Sequence, residues 1–528
     1  MTAHLLEPFA RCISSQPEAD ALWVDNRIYS YAELGSTAQR IATWCKRRVP
    51  QHNPRIGILT SRSLTAYASI LGVNWASGAY LPLNARMPAS YLATIVAQAE
   101  LDGLIVDSAG MALLNEIAPE GLPVLAPFVT DLSVTSVRLD NATLFSSLPK
   151  MFTPAPQHED DTVYQMFTSG TTGTPKGIAV SVSNLRQLLK VCQDRYEFTP
   201  EDRVSQTFEL TFDLSVFDIF MTLLSGASLQ VIPDQMIATP AQFIRKQKLT
   251  VWFSVPSVAG MLSQMKMLKP SFFPSLRWSL FCGEALPEST VLAWKQAAPH
   301  SRIDNLYGPT EVTVACLRQE CTTPLEVTED RGIIAIGKPF PGQFAAIVNE
   351  RGDFLPTGEV GELALSGPQV TPGYWRNLQL TASRFPVLVH PELGETRWYL
   401  SGDLARCDAD GRYHFLGRVD NQIKLRGQRI ELDEIECYLR EASACDNAAV
   451  VVVEGDTPWS KEIIGIISSP QTDVSGLRKQ LHQQLPAYKV PKRIIVMEEL
   501  PRNASGKIDR LAIRQQLTSH INKNSETP

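Results

Sequence analysis

Residues 163–177, VYQMFTSGTTGTPKG, are the most informative part of the chain. The apolar run Val163–Phe167 predicts a buried strand, and a polar segment rich in glycine and hydroxyl side chains follows at once. Glycine lets the backbone turn tightly and present N–H groups to an anion, and a lysine adds positive charge. We therefore predict a polyphosphate-binding loop made of Thr168, Ser169, Gly170, Thr171, Thr172, Gly173 and Lys176.

This loop differs from a Walker A motif, because no Gly-Lys-Ser/Thr triplet stands at the required spacing. The alternative interpretation is a flexible linker of serine, glycine and threonine. The strand that precedes the loop and the Pro-Lys-Gly sequence at 175–177 disfavour a linker.

Composition places the chain among ordinary globular proteins. Its 528 residues allow three or four domains of about 150 residues, or fewer larger ones. Hydrophobic residues make up 44% of the chain and charged residues 20%. A net charge of −6 gives no electrostatic reason to expect nucleic acid or an anionic membrane as a partner.

The sequence gives no sign of disulfides, zinc or membrane insertion. The nine cysteines include no CxxC pair, and the eight histidines form no HExxH motif. The N-terminus lacks a basic region followed by an apolar core. The longest apolar region, Tyr67–Leu83, is interrupted by polar residues and too short for a membrane span. We expect a soluble cytoplasmic protein with reduced thiols.

The first 150 or so residues alternate between strand-like and helix-like segments. Ala21–Val24 and Arg27–Ser30 predict a hairpin around the turn Asp25–Asn26, and Ser63–Ala76 predicts a buried helix. This alternation indicates a mostly parallel sheet covered on both faces. The polar, proline-rich residues 137–160 predict a surface loop.

Asp213 is unusual because it stands within the apolar run FDLSVFDIF, residues 212–220. A carboxylate is costly to bury without a partner. One interpretation is a helix N-cap, a common use of aspartate. The other is a counter-ion for the ammonium group of a substrate.

Residues 305–311, NLYGPTE, gather four side chains of ligand type. The Asn305 amide can read the edge of adenine, the Tyr307 ring can stack, and the Thr310 hydroxyl can donate to the α-phosphate. The Glu311 carboxylate suits Mg²⁺, which prefers carboxylates together with phosphate oxygens. A simple Gly-Pro turn would explain positions 308 and 309 but not this clustering.

The phosphate loop closely resembles that of the adenylate-forming enzymes: acyl-CoA ligases, luciferases and the adenylation domains of nonribosomal peptide synthesis. Further motifs of that family follow in its order over almost the whole chain, at 75–84, 283–285, 305–311, 361–375, 398–405 and 417–431. The resemblance implies an α/β fold. Its large N-terminal domain has parallel and mixed sheets flanked by helices plus a β-barrel-like part, and its small α+β C-terminal domain is mobile.

The resemblance also implies a domain boundary. Residues 1–419 would form the adenylation core with the ATP and amino-acid sites, and residues 420–528 a lid that turns about a hinge at Asp420. For the charged stretch 417–431, GRVDNQIKLRGQRIE, a surface hairpin is the alternative. The family uses the lysine at position 507 to bridge the substrate carboxylate and the α-phosphate, although an exposed lysine is the commonest fate of this residue type.

Other nucleotide contacts are implied in the same way. Gly283 and Glu284 would face adenine, and Arg418 would reach the nucleotide. Asp403 is predicted on a loop after a strand, where a carboxylate can accept both ribose hydroxyls; a turn aspartate beside a glycine is the alternative. The motif GELALSGPQVTPGYW, residues 361–375, has β character and is assigned a packing role.

The substrate pocket follows from the family's pocket positions. Amino-acid-activating members hold the α-amino group at the position of Asp213, and members that activate plain carboxylic acids lack the acid there. The pocket positions fall on Asp213, Leu214, Phe217, Phe253, Leu280, Cys282, Leu306, Val314 and Ala315, with Lys507. A polar substrate side chain would be left unpaired there, at about 1–3 kcal/mol per group. The pattern resembles stand-alone L-proline-activating enzymes; the alternative is that these are core residues.

The resemblance therefore implies an L-proline–[peptidyl carrier protein] ligase. Such an enzyme uses ATP and Mg²⁺ to form the aminoacyl-adenylate and passes the amino acid to the phosphopantetheine thiol of a separate carrier, in nonribosomal peptide or alkaloid-type biosynthesis. The sequence contains no carrier-protein serine motif and no HHxxxDG, so we expect a free-standing enzyme. The alternatives are a D-alanine–carrier ligase, an acyl-CoA ligase for an apolar acid, and a regulatory nucleotide-binding protein with a degenerate site.

Overall fold

The computed structural model describes residues 4–525 except 131–136, 169–174, 238, 330, 426, 444, 446, 455–460, 469–472 and 503–507. The chain forms two compact units. The first consists of Met1–Ala85, Val96–Phe167 and Gly177–Val419, and the second of Arg86–Ile95, Thr168–Lys176 and Asp420–Pro528.

The strands are, in chain order, β1 (Asp20–Val24), β2 (Arg27–Ser30), β3 (Arg55–Thr60), β4 (Ala79–Asn84), β5 (Gly103–Val106), β6 (Pro123–Leu125), β7 (Arg138–Asp140), β8 (Thr162–Thr168), β9 (Lys176–Ser181), β10 (Arg203–Gln206), β11 (Ser228–Val231), β12 (Val251–Ser254), β13 (Trp278–Phe281), β14 (Arg302–Tyr307), β15 (Leu317–Glu320), β16 (Val327–Thr328), β17 (Ile333–Ile334), β18 (Lys338–Pro339), β19 (Phe344–Val348), β20 (Val360–Ser366), β21 (Val387–His390), β22 (Gly394–Arg397), β23 (Tyr399–Cys407), β24 (Tyr413–Arg418), β25 (Gln422–Leu425), β26 (Gln428–Glu431), β27 (Ala448–Glu454), β28 (Lys461–Ile467) and β29 (Arg493–Val496).

The helices are α1 (Glu7–Ser15), α2 (Tyr31–Arg48), α3 (Leu64–Trp75), α4 (Ala89–Ala99), α5 (Ser108–Met111), α6 (Leu114–Ile117), α7 (Ala142–Ser147), α8 (Val182–Tyr196), α9 (Leu214–Leu224), α10 (Ala241–Lys246), α11 (Pro256–Gln264), α12 (Glu288–Ala297), α13 (Leu378–Arg384), α14 (Leu432–Ser443), α15 (Val474–Gln484) and α16 (Arg510–Ser525). Short 3₁₀ turns cover Asp234–Met236 and Thr310–Val312.

The first unit is built on two large sheets and a smaller one. Among the described residues, one large sheet has the order β7-β6-β5-β3-β4-β8-β9 and the other the order β18-β15-β14-β13-β12-β10-β11-β1-β2. The central strands of both sheets run parallel, and the edges of the second sheet are antiparallel. The smaller sheet, β19-β20-β23-β24, is antiparallel and takes the place of the barrel-like part.

Local sequence explains several of these elements. The β1–β2 hairpin is confirmed, and both turn residues, Asp25 and Asn26, have positive φ, 51° and 59°. Aspartate and asparagine tolerate this conformation, which a type I′ turn requires at both positions. The predicted buried helix is also confirmed: α3 is mostly apolar, has no polar face and is buried from Thr65 to Trp75, as expected for a helix covered all round.

The period of two along a strand divides the core of the first unit. On β12 and β13, Phe253 and Leu280 point into one hydrophobic cluster, whereas Trp252 and Phe281 point into another on the opposite face. Successive strand residues face opposite sides of a sheet. The first cluster contains side chains from both large sheets and from α2, α3, α8 and α9, and it includes the apolar residues of the predicted substrate pocket.

The second unit contains a small α+β core. In its described part, β27 pairs antiparallel with β28, and β28 pairs parallel with β29. Alternate residues of β27 again separate two clusters: Val450 packs with α14 and α15, and Val451 packs with α16. The predicted fold class, with a large α/β part and a small α+β part, is confirmed.

Three local predictions are wrong. The expected surface loop at 137–160 contains β7 and α7; Asn141 caps α7 by accepting from the backbone N–H groups of Thr143 and Leu144. Asp403 lies inside β23 and not on a loop after a strand, because β23 continues past Gly402 through a bulge in its pairing with β20. The motif at 361–375 is a strand only as far as Ser366 and then becomes a loop.

Candidate active site

The structure describes the flanks of the predicted phosphate loop. β8 ends at Thr168 and β9 begins at Lys176, which confirms the strand that leads into the loop. The Lys176 ammonium group lies 3.4 Å from Oε1 of Glu431, within the second unit. The remaining loop predictions, Ser169, Gly170, Thr171, Thr172 and Gly173, lie outside the described residues, as does Lys507.

A buried polar triad joins three of the predicted nucleotide contacts. The Tyr307 hydroxyl donates to Oδ2 of Asp403 at 2.5 Å, and Arg418 donates to Oδ1 of the same carboxylate at 2.5 Å. Asp403 is 4% exposed. Burial, and then the neighbouring carboxylate, raise the pKa of Tyr307 well above its usual range, so the phenol stays protonated and able to donate. The structure thus brings together residues up to 111 positions apart, since 418 − 307 = 111.

Glu311 is held in place by the loop that follows β20. Its carboxylate is completely buried, and Oε1 accepts a hydrogen bond from the Tyr374 hydroxyl at 2.8 Å. Its backbone carbonyl accepts from the N–H of Thr371 at 3.0 Å. Mg²⁺ is commonly bound by one or two carboxylates together with substrate phosphates and water. A single carboxylate with a fixed orientation fits that ion. Thr310 begins the 3₁₀ turn that carries Glu311.

The predicted adenine contacts lie at the ends of β13 and β14. The Asn305 side-chain amide donates to the carbonyl of Ala335 at 2.9 Å, and Asn305 is 2% exposed. Gly283 has φ +92°, a conformation that favours glycine. The Glu284 carboxylate accepts from the backbone N–H of Ser257 at 3.0 Å, in the first turn of α11, so this side chain serves a helix N-terminus.

Asp213 lies at the position that precedes α9, as the N-cap interpretation requires, but its conformation is that of the helix itself (φ −65°, ψ −20°). In the described part of the chain its side chain forms no capping hydrogen bond. It is 9% exposed. Capping therefore does not account for this carboxylate, and the counter-ion interpretation stays a prediction.

Two tyrosines that the sequence analysis did not single out lie near Asp213. Tyr80 on β4 pairs with Tyr164 on β8, with ring centroids 5.8 Å apart. Burial raises the pKa of both phenols, and the Asp213 carboxylate raises it further. Neither hydroxyl has a hydrogen-bond partner among the described residues. Two phenol donors therefore lie within electrostatic range of this carboxylate. One belongs to the family motif at 75–84 and the other to the strand before the phosphate loop, and neither had been assigned a role from the sequence.

The predicted pocket residues are brought together in one hydrophobic cluster. All are buried: Leu214, Phe217, Phe253, Leu280, Cys282, Leu306, Val314 and Ala315. The Phe217 ring on α9 meets the Phe253 ring on β12 edge to face, with centroids 5.0 Å apart. Phe217 also contacts the rings of Tyr196 and Phe198. The cluster agrees with an apolar pocket, and it agrees equally with a core.

Comparison with known proteins gives the class. The family described as "AMP-binding enzyme" matches residues 9–375, and "AMP-binding enzyme C-terminal domain" matches residues 434–507. The chain belongs to the AMP-binding enzymes, a family of adenylate-forming ligases, and the resemblance of its motifs is confirmed.

Two relatives match nearly the whole of this chain. It is 31% identical to the delta-poly-L-ornithine synthetase of Acinetobacter baumannii (strain AB307-0294) over 98% of this chain and 37% of that protein. It is 32% identical to the dimodular nonribosomal peptide synthase of Bacillus subtilis (strain 168) over 97% and 21%. The chain thus spans about a third and a fifth of these relatives.

A solved structure agrees over nearly the full length. The Vibrio cholerae adenylation domain AlmE, in complex with glycyl-adenosine-5′-phosphate, is 32% identical, covers 98% of each chain and superposes with a TM-score of 0.87. The agreement extends to the large α/β part and to the small α+β part. None of the described helices combines the length and the apolar character that a membrane span requires.

Proposed function

We propose that the protein is an amino acid–AMP ligase that activates L-proline and transfers it to the phosphopantetheine thiol of a separate carrier protein. The observation that carries this proposal is Asp213, a buried carboxylate at the start of α9 beside the apolar cluster of Phe217 and Phe253. A substrate ammonium group is the charge that such a carboxylate accommodates best, because a buried charge needs an opposite charge nearby.

In the first half-reaction, an oxygen of the amino-acid carboxylate attacks the α-phosphorus of ATP. The bond to the β-phosphate oxygen breaks, and pyrophosphate leaves. The barrier lies in bringing two anions together, so positioning and charge stabilisation are the catalytic contributions. Lys507 would neutralise both anions, Thr310 would donate to the α-phosphate, and the loop 168–176 would hold the departing pyrophosphate. Mg²⁺ held by Glu311 would shield the phosphate oxygens.

The nucleotide would be held by the triad and by the adenine contacts. Asp403 would accept the ribose hydroxyls, with Arg418 and Tyr307 fixing its orientation at 2.5 Å each. The Tyr307 ring would stack on adenine. Asn305 and the backbone at Gly283 and Glu284 would face the base. These hydrogen bonds between described side chains support a preorganised ribose site.

The second half-reaction requires a thiol in place of Lys507. The domain formed by residues 420–528 would turn about Asp420 relative to residues 1–419 and withdraw Lys507. The thiol then attacks the carbonyl carbon of the aminoacyl-adenylate, giving the thioester and AMP. Supporting a carrier partner and a role in nonribosomal peptide synthesis, one relative is itself a nonribosomal peptide synthase.

Proline is favoured by the uniformly apolar cluster, in which a polar substrate side chain would leave a group unpaired at about 1–3 kcal/mol. Glycine is a second candidate, because the AlmE structure holds a glycyl-adenylate and shares 32% identity with this chain. D-alanine and a plain apolar carboxylic acid are the alternative substrates.

The test is amino-acid-dependent exchange of labelled pyrophosphate into ATP, screened over the common amino acids, including glycine, and over D-alanine. We expect the strongest exchange with L-proline. Strong exchange with valine, alanine or glycine, together with little exchange with proline, would overturn the assignment of proline as the substrate. Exchange with an apolar acid that lacks an amino group, together with transfer of that acid to free CoA, would overturn the proposal that the substrate is an amino acid.

A matched pair of substrates tests the role of Asp213 directly. Tetrahydrofuran-2-carboxylate has the shape of proline without its ammonium group. Asp213→Asn removes one partner of the proposed buried ion pair, which should cost about 3–5 kcal/mol of transition-state stabilisation with proline. The value of kcat/KM for proline should therefore fall by about two to four orders of magnitude. The weak activity with the oxygen analogue should change little. An equal fall for both substrates would show that Asp213 is structural.

A further inference from the structure

The loop between β14 and β15 contains a strained turn. The Cys316 N–H donates to the carbonyl of Tyr307 at 2.8 Å and closes the loop. Inside it, the Ala315 N–H donates to the carbonyl of Thr313 at 2.8 Å, with φ +54° at Thr313 and +68° at Val314. This is a γ-turn of the positive-φ kind, which is rare. A β-branched residue at positive φ is an outlier that the surrounding structure must hold in place.

The side chain that holds this turn comes from the loop after β20. Gln369 is fully buried, and its Nε2 donates to the carbonyls of Ala315 at 2.8 Å and Thr313 at 3.2 Å, on either side of Val314. The Val312 carbonyl lies at 3.5 Å from the same nitrogen. In return, the Thr313 hydroxyl donates to the backbone carbonyl of Gln369 at 2.7 Å. Because three backbone carbonyls surround this end of the Gln369 side-chain amide, the NH₂ group, which donates, must lie there and the oxygen at the other end.

The loop that carries Gln369 is itself fixed. The Asn184 side chain on α8 donates to the carbonyl of Pro368 at 2.7 Å. Arg397 donates to the carbonyl of Thr371 at 2.8 Å. Gln369 is therefore a rigid support for the turn, and a movement of either its amide or the turn would break several hydrogen bonds at once.

Val314 and Ala315 are two of the residues proposed to line the amino-acid pocket. We propose that Gln369 is a positioning residue that fixes the size of this pocket by holding the Thr313–Ala315 turn in its positive-φ conformation. The inference rests on the proposed amino-acid activation. It gives the motif at 361–375, first assigned to packing, a part in substrate selectivity.

The experiment compares Gln369→Met with wild-type protein in pyrophosphate exchange. Methionine keeps the length and volume of the side chain but has no N–H donors. The substrates are L-azetidine-2-carboxylate, L-proline and L-pipecolate, which differ by one ring methylene each. We expect kcat/KM for proline to fall at least tenfold through KM for the amino acid. The ratio of kcat/KM for proline to kcat/KM for each of the other two acids should fall at least tenfold. The KM for ATP should stay within twofold of the wild-type value.

Gln343→Met is the matched control, because Gln343 is a buried glutamine that borders the same loop at Gly367. It should leave the substrate preference unchanged. If Gln369→Met does not fold, Thr313→Val removes the 2.7 Å hydrogen bond from the other side of the contact and should narrow the preference in the same direction.

An unchanged preference, or an equal loss for all three acids and for ATP, would overturn the role of Gln369. If wild-type protein prefers another acid, the ratio is measured on that acid with its next smaller and next larger homologues. If the wild-type enzyme is active and Gln369→Met has the same substrate preference, this inference alone would be overturned. Absence of exchange with any acid would overturn the proposed function and this inference together.

Discussion

Replacing Tyr374 by phenylalanine removes a single oxygen atom from the support of Glu311. The hydroxyl donates to Oε1 of the buried carboxylate at 2.8 Å. The ring packs against Phe385 with centroids 5.6 Å apart, a contact that phenylalanine keeps. A hydrogen bond to a charged group contributes about 1.5–3 kcal/mol. We expect Tyr374→Phe to lower the free energy of unfolding by about that amount.

The same change should affect the proposed metal site. A hydrogen bond to a metal ligand sets its orientation, and its loss typically costs about 10- to 100-fold in metal affinity or activity. Pyrophosphate exchange by Tyr374→Phe should therefore need a higher Mg²⁺ concentration for half-maximal rate, with a lower maximal rate. Urea unfolding measures the stability, and a Mg²⁺ titration at saturating ATP measures the second effect.

Tyr31→Phe is the control for this prediction. The Tyr31 hydroxyl is buried and donates at 2.7 Å to a neutral acceptor, the carbonyl of Ala227. Its loss should cost only about 0.5–1.5 kcal/mol and leave the Mg²⁺ dependence unchanged. If both variants lost the same stability and neither altered the Mg²⁺ requirement, the argument that Tyr374 orients a charged ligand would be refuted.

Three further predictions concern other parts of the chain. Burial raises the pKa of Asp218 well above its usual range, so the folded protein keeps a proton that the unfolded chain releases. The contribution of this carboxyl group to stability is therefore largest below the ordinary aspartate pKa and falls as the pH rises, and in urea titrations Asp218→Asn should gain stability relative to wild type as the pH increases above about 4. The Lys489 ammonium group lies 2.9 and 2.8 Å from the two oxygens of Glu434, with both side chains buried; Lys489→Met should cost about 3–5 kcal/mol in urea unfolding, and adding Glu434→Leu should restore most of it. Lys507→Ala should abolish pyrophosphate exchange but spare thioester formation from supplied aminoacyl-adenylate, and equal loss of both steps would contradict a lysine that acts only in adenylation.

Several elements could be predicted from neighbouring residues along the chain alone. Asp25 and Asn26 define their turn because both tolerate positive φ, and α3 is buried because it is mostly apolar and has no polar face. The order of the motifs was enough to indicate the family. Each of these features is encoded within a few consecutive residues, so no knowledge of distant contacts is needed.

Which polar groups form hydrogen bonds across the site depends on the three-dimensional packing of the elements. Tyr307, Asp403 and Arg418 are far apart in the chain, and their hydrogen bonds exist because β23 continues through a bulge and lies against β24. Hydrogen bonds also join Gln369, in the loop after β20, to the turn at Val314, between β14 and β15. These strands belong to two different sheets. A hydrogen bond depends on distances of a few tenths of an ångström. Such distances are set by how whole elements pack, and the local residue pattern does not contain them.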